Sequence, residues 1–600
     1  MIFPNKPIAS AKRCFAICFF AAGIFATRVL GEVKIGPADP SATIHAGTEP
    51  LDDGAVRMVG ARNGSATGLV VVRTPNGTPG QVNAQVTHLR NISHPHLDIA
   101  GEVQVHYGSR RQDFGPSARR PNVGDFPYFD ALTPQVMPHD DPVQPVYLHL
   151  PISEQMTPGH YRGEVVVSTP RGNRTLEVLL SITPFVVARP ADRLGWVDML
   201  QSPDSIAYRY GVPLYSPEHL RLLEPSMKML ANLGSRVMHV TAVAQTNFGN
   251  DEAMIPMSRD GIDFSGFEAY FDLYRRIVGN PTLIVLYVDE QGHERAPRWT
   301  PPGGRRDGRT GAVDAAYDEA HRERWQALMD GLHQRITAAG IDESAILLGW
   351  IGDDRNYDDR VAYWKDIAPS ADWVQFTHAR GDPPMGREEV LMVGSMPVRY
   401  RVLPYAPHGW KEAAQTRAGG WDLPLIQATS MRFYNNQASP VTNYRLLGPI
   451  SVQGQHRVRA YRGLARMGMD FWPVRIPVDG ERRLLKRFSR WHNLQRVTAP
   501  AITIPGPEGA LPTVRYLNLW EGLQENEAAI LIEKTLAERG DTLTEEQREK
   551  AEEILNAWRD TRKMEFRTEG NQDWQNDDPE IPADWMQRVM DLFVLASRFQ

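Results

Sequence analysis

Six hundred residues exceed what one hydrophobic core organises, so two or three domains are expected. A formal net charge of −6 gives no basic excess, which argues against nucleic acid or an anionic membrane surface as the main partner. Cys14 and Cys18 both lie in the N-terminal apolar segment, leaving the rest of the chain with no thiol nucleophile, disulfide or cysteine metal site.

Residues 1–31 combine Lys6, Lys12 and Arg13 with the apolar run Cys14 to Ala26, the pattern of a secretory signal peptide. The run is shorter than the ~20 residues that span a bilayer, so an exported product, periplasmic or extracellular, with no stable membrane insertion is expected. Residues 32–54 read as a linker. Over 55–190, runs such as GLVVVRT, GEVQVHYG and GEVVVST alternate apolar and polar residues between turns at Asn76-Gly77 and Arg171-Gly172-Asn173, which predicts an antiparallel β-sandwich. Within it, Pro158 to Gly163 reads as a turn into an edge hairpin.

Beyond Arg189-Pro190 the period changes. Apolar strands (LGWVDML, RVMHVTAV, LIVLYVDE, AILLGWIGDD, DWVQFTHA, VRYRVLPYA, LPLIQATS, MDFWPV) alternate with helical stretches, predicting a (β/α)8 TIM-like barrel over 191–497. An open doubly wound sheet is the alternative. It lacks a glycine-rich phosphate fingerprint after any strand, which also disfavours a nucleotide partner. Residues 498–600 read as a barrel-closing helix, Val514 to Arg539, and a helical C-terminal extension in which Thr544-Glu545-Glu546-Gln547 has the form of a capping box.

In a barrel the C-terminal strand ends carry the chemistry. Asp353 and Asp354 follow the strand Ile346–Ile351, and two close carboxylates disfavour double ionisation, so one can serve as acid and one as base. Alternatively the pair binds loop amides or caps the next helix. Asp289-Glu290, ending LIVLYVDE, is the competing pair. Asp198, His239, His378, Tyr405, Trp410, Gln427 and Trp472 fall near other strand ends, and aromatic platforms with amide and imidazole hydrogen bonders suit a saccharide. There is no HExxH, no pair of histidines at ligand spacing on one helix and no GxSxG elbow, so neither a metal, a cofactor nor a serine nucleophile is expected.

Three segments resemble glycoside hydrolase family 123, the secreted β-N-acetylgalactosaminidases and their relatives. They are the Pro-Gly-x-Tyr-x-Gly turn at 158–163, the strand AILLGWIGDD with the following DRVAYWKDIAPSADWVQFTHA, and Pro512-Thr-Val-Arg515 through Leu519-Trp-Glu-Gly522-Leu-Gln-Glu525-Asn-Glu527. The resemblance implies an oligosaccharide or glycoconjugate substrate and a retaining, substrate-assisted β-N-acetylhexosaminidase of galactosaminidase type. In that mechanism an Asp orients the substrate's acetamido group and a Glu protonates the leaving oxygen. Carried over, Asp353 is the stabiliser and Asp354 the acid.

The second member of the pair is Asp here, where the family has Glu. One methylene fewer draws the carboxyl back by about 1.5 Å, and misplacement on the scale of ~1 Å can cost ~10²-fold in rate. A non-catalytic carbohydrate-binding relative that keeps the barrel is therefore the alternative.

Overall fold

The chain is described by a computed structural model. It covers residues 32–110, 128–244, 246, 249–258, 261–290, 319–351, 358–376, 391–393, 395–403, 427–430, 441–442, 444–446, 463–472, 474–478, 481–484, 501–560 and 581–600.

The first nine strands are β1 (Lys34–Ala38), β2 (Val56–Arg62), β3 (Gly64–Arg73), β4 (Asn83–Asn91), β5 (Gln104–Arg110), β6 (Phe129–Thr133), β7 (Val143–Ile152), β8 (Gly159–Thr169) and β9 (Gly172–Val186). They form a five-stranded sheet, β1-β3-β7-β5-β6, and a four-stranded sheet, β2-β9-β8-β4. All pairings are antiparallel except β2 with β9, which is parallel and departs from the purely antiparallel expectation. β1 lies in the stretch expected as linker and adds an edge to the first sheet. Alternate residues of β3 face two cores: Ala66, Val70 and Val72 meet the second sheet, whereas Leu69 and Val71 join the core shared with the rest of the chain. That explains its near-continuous apolar run.

The Pro-Gly-x-Tyr-x-Gly turn opens β8, an interior strand and not the edge expected. Tyr161 is buried and donates its hydroxyl to the Thr157 carbonyl at 2.6 Å. Gly163 is required by close approach, since a Cβ there would lie 1.9 Å from the His88 carbonyl oxygen.

The second region contains β10 (Trp196–Leu200), α1 (Pro203–Tyr210), α2 (Pro217–Leu233), β11 (Val237–Thr241), α3 (Ser265–Ile277), β12 (Leu283–Glu290), α4 (Glu319–Ala338) and β13 (Ile346–Ile351). It continues with α5 (Asp358–Ile367), β14 (Trp373–Phe376), β15 (Leu391–Val393), β16 (Met396–Leu403), β17 (Gln427–Ser430) and β18 (Gly463–Gly468). The sheet runs β10-β18-β17-β16-β14-β13-β12-β11, parallel throughout, with β15 antiparallel on β16. Its two ends, β10 and β11, are bridged by side chains: the Met199 N–H donates to Ser235 Oγ, just before β11, at 3.0 Å, and His239 meets Asp198. The last strand is GLARMG; the expected MDFWPV lies beyond its end.

Two hairpins follow, β19 (Arg475–Val478) with β20 (Glu481–Leu484), and β21 (Thr503–Gly506) with β22 (Gly509–Pro512). Then come α6 (Val514–Arg539), α7 (Glu545–Asp560) and α8 (Trp585–Ala596). The capping box forms as expected: the Thr544 N–H donates to Gln547 Oε1 at 2.9 Å and the Gln547 N–H to Thr544 Oγ1 at 3.2 Å. No helix among the described residues is long and apolar enough to cross a membrane.

α6 explains the third resemblance segment. Arg515 is fully buried, and its backbone N–H donates to Asp130 of β6 at 3.2 Å. Gln524 accepts from the Ser65 N–H of β3 at 3.1 Å, and Glu527 accepts the Gly195 N–H just before β10 at 2.7 Å. Glu521 and Glu525 both pair with the buried Arg445. Gly522 must be glycine because a Cβ would meet the Arg445 carbonyl oxygen at 2.1 Å. The C-terminal helices are integral and not an appendage. Phe593 stacks on Phe185 at 5.7 Å, Trp585 donates to Asp39 at 2.7 Å, and the Gln600 side chain bonds both N–H and carbonyl of Val186.

Arg445→Ala is expected to lower stability by about 3–5 kcal/mol, because two buried carboxylates lose their counter-charge. Urea unfolding measures this, and replacing Arg445, Glu521 and Glu525 together by apolar residues should recover most of the loss.

Candidate functional site

Strand parity divides the sheet residues between two environments. Trp196, Val237, Val285, Tyr287, Leu347, Val374, Phe376, Val402 and Ala465 form one buried cluster on one face, while their sequence neighbours pack in the helix layer. Asp198 and His239 share the phase of Trp196 and Val237. His239 Nε2 lies 2.5 Å from Asp198 Oδ1, and the Asp198 side chain has no exposure. The imidazole is tilted against Phe376 at 6.4 Å, and Phe376 against Tyr287 at 5.8 Å. Asp198 is thus engaged in orienting an imidazole within an apolar enclosure.

Gly349 interrupts the apolar run of β13 for a steric reason. A Cβ at that position would sit 2.8 Å from Tyr287 Cδ2 and from Val285 Cγ1, so the Tyr287 ring lies against the β13 backbone. In register, Asp289 and Glu290 of β12 pair with Trp350 and Ile351 of β13. The backbone therefore brings the competing acidic pair beside the end of the strand that leads to Asp353 and Asp354. Asp353, Asp354, His378, Tyr405 and Trp410 lie outside the described residues. Gln427 opens β17, opposite Arg401.

Trp472 does not serve as the expected platform. It is 1% exposed, its indole N–H donates to the Thr503 carbonyl at 3.1 Å, and its ring meets Tyr210 edge-on at 6.3 Å. It lies past the end of β18, where β21 covers it.

Polar groups that the sequence does not single out gather where β10 and β18 end. Asp470 accepts the Ser202 N–H at 2.6 Å and the Ser226 hydroxyl at 2.5 Å. Gln201 donates to Ser226 Oγ at 2.8 Å and accepts from the Tyr270 hydroxyl at 2.7 Å. Burial pushes the Asp470 carboxyl up to about 6, against the lowering effect of its donors. The sequence signal for this group is a carboxylate just past a strand, too common to separate from a cap. Among the described residues no group of three or more His, Cys, Asp or Glu is arranged to hold a metal ion.

Residues 200–418 match the family described as glycoside hydrolase 123, catalytic domain. The chain thus carries a region similar to the glycoside hydrolase 123 catalytic domain. Its structure is similar to that of a family 123 glycoside hydrolase from Clostridium perfringens, with a TM-score of 0.66 at 12% identity, covering 94% of this chain and 98% of that one. A β-glucuronidase from Parabacteroides merdae aligns with a TM-score of only 0.20 at 10% identity, over 63% of this chain and 40% of that one. None of the curated proteins matches in sequence. The family 123 match spans α1 to β16, and so includes both acidic pairs.

Gly349→Ala is expected to cost about 1–3 kcal/mol by overpacking against Tyr287. A double-mutant cycle with Tyr287→Ala, read by urea unfolding, should show coupling above about 0.5 kcal/mol; additive effects would refute the contact.

Proposed function

We propose that this protein is an exported, retaining β-N-acetylhexosaminidase of galactosaminidase type, acting on an oligosaccharide or glycoconjugate through substrate assistance in a closed (β/α)8 barrel. The observation that carries the reading is the family 123 catalytic-domain match across the strand that leads to Asp353 and Asp354. The parallel strand order, with its ends bridged by Asp198–His239, supports closure. The N-terminal apolar segment supports export. The Clostridium perfringens enzyme is described in terms of glycolipid glycan hydrolysis, which supports a glycoconjugate as substrate class.

In this reading the substrate's acetamido oxygen attacks the anomeric carbon as the glycosidic bond breaks, and Asp354 gives its proton to the leaving oxygen. Asp353 accepts from the acetamido N–H and stabilises the oxazolinium. Water then attacks the anomeric carbon, Asp354 takes its proton, and the acetamido group is restored with retained configuration. Asp198, His239, Asp289, Glu290, His378, Tyr405, Trp410 and Gln427 are assigned to sugar binding, His239 directly and Asp198 through it. The second reading, a carbohydrate-binding relative without turnover, is favoured by the shorter Asp354 in place of Glu.

The test compares nitrophenyl and alkyl β-N-acetylgalactosaminides and glucosaminides. Asp353→Asn should lose about 10²–10⁴-fold in kcat on both, whereas Asp354→Asn should lose most on the alkyl glycoside, whose leaving group needs the proton. Wild-type turnover unaffected by either substitution would remove the dyad. Absence of turnover together with binding of an N-acetyl-sugar thiazoline would establish the binding relative.

A further inference from the structure

Asp204 lies in the first turn of α1, directly after β10, and is 2% exposed. Its Oδ1 accepts the N–H of Asp251 at 2.8 Å and, more weakly, that of Glu252 at 3.4 Å. Both donors belong to the described stretch 249–258, which lies between β11 and α3 in sequence and meets the end of β10. There the Ser202 hydroxyl donates to the Gly249 carbonyl at 2.5 Å. Gly249 approaches Phe471 of the inner cluster so closely that a Cβ would lie 2.9 Å from its ring. Asn250 ties the segment to itself, donating to the carbonyls of Val243 at 2.8 Å and Glu252 at 2.9 Å.

We propose that Asp204 is a positioning residue that latches the stretch 249–254 onto α1, and that the latch fastens by taking up a proton. Among the described residues, the groups facing it are acidic or neutral. Asp251 and Glu252 come from the segment, and Asp251 accepts the Tyr208 hydroxyl of α1 at 2.8 Å. Tyr215, between α1 and α2, has its phenol pushed up by burial first and by Asp204 second. His219 of α2, bonded to the Pro203 carbonyl at 2.9 Å, is pushed down to about 4 by burial and stays neutral.

Burial raises the Asp204 carboxyl to about 7 from its ordinary 3.8, despite the lowering effect of the two amides. Lifting the segment lets water reach the carboxyl and returns it toward the ordinary value. The fastened state therefore holds an extra proton between these values. Its advantage is full at acid pH, falls as pH rises toward 7, and is lost above it. The inference is independent of the glycosidase reading.

Hydrogen exchange of a peptide spanning 249–254, corrected for intrinsic rate, tests it between pH 5 and 8. Protection should fall by up to about tenfold per pH unit to pH 7 and then level off. A β7 peptide serves as the control for global unfolding. Asp204→Asn, which keeps an acceptor oxygen without a titratable proton, should abolish the slope. A flat wild-type profile, or an equal slope in the Asn variant, would overturn the proposal; the wild-type series decides alone if the variant does not fold.

Discussion

The guanidinium of Arg445, buried between Glu521 and Glu525, sits where the separate cores converge. Glu525 also accepts the Trp558 indole N–H at 2.9 Å, Trp585 lies under the guanidinium at 4.7 Å, and Gln524, between the two glutamates on α6, accepts the Ser65 N–H of the sandwich at 3.1 Å. Taking these charges out of water is costly, and their mutual attraction offsets that cost only when every partner is present. The cluster therefore ties correct packing of the sandwich, the second region and the C-terminal helices to one geometry. α6 is consequently buried on almost every side along its first turns, with charged residues inside.

The sheets are readable from sequence wherever one face meets water, because alternation then marks the buried side. β3 and β13 instead read as continuous apolar runs, and both are covered on two faces. MDFWPV mimics a strand because apolar and aromatic residues there pack beneath β21, whereas the true strand, GLARMG, is poor in the β-branched residues that signal one. The C-terminal helices look solvent-borne because α7 is highly charged, yet Leu555 and Trp558 bury one stripe against α6. No local pattern can show that Arg445, far upstream, supplies the counter-charge for α6.

The site is readable in part. Acidic strand ends are visible as sequence, and the register of β12 on β13 sets Asp289 and Glu290 beside Trp350 and Ile351. The interior beneath is not visible: the Tyr287 ring over Gly349, and the imidazole held by Asp198, depend on neighbours from adjacent strands. These contacts set a largely apolar floor with one oriented imidazole, an environment in which a polar interaction is stronger than in water.

Asp39 near the start of the described chain receives the Trp585 indole N–H, and Val186 is held at both its N–H and carbonyl by Gln600. Contacts of such sequence separation can form only after nearly all of the chain is available, and loop closure must precede their reward. During synthesis the apolar face of β2 and β9 thus stays uncovered until α8 arrives. The chain spends that interval exposed to misassembly, so its folding yield, more than its final stability, depends on what shields that face.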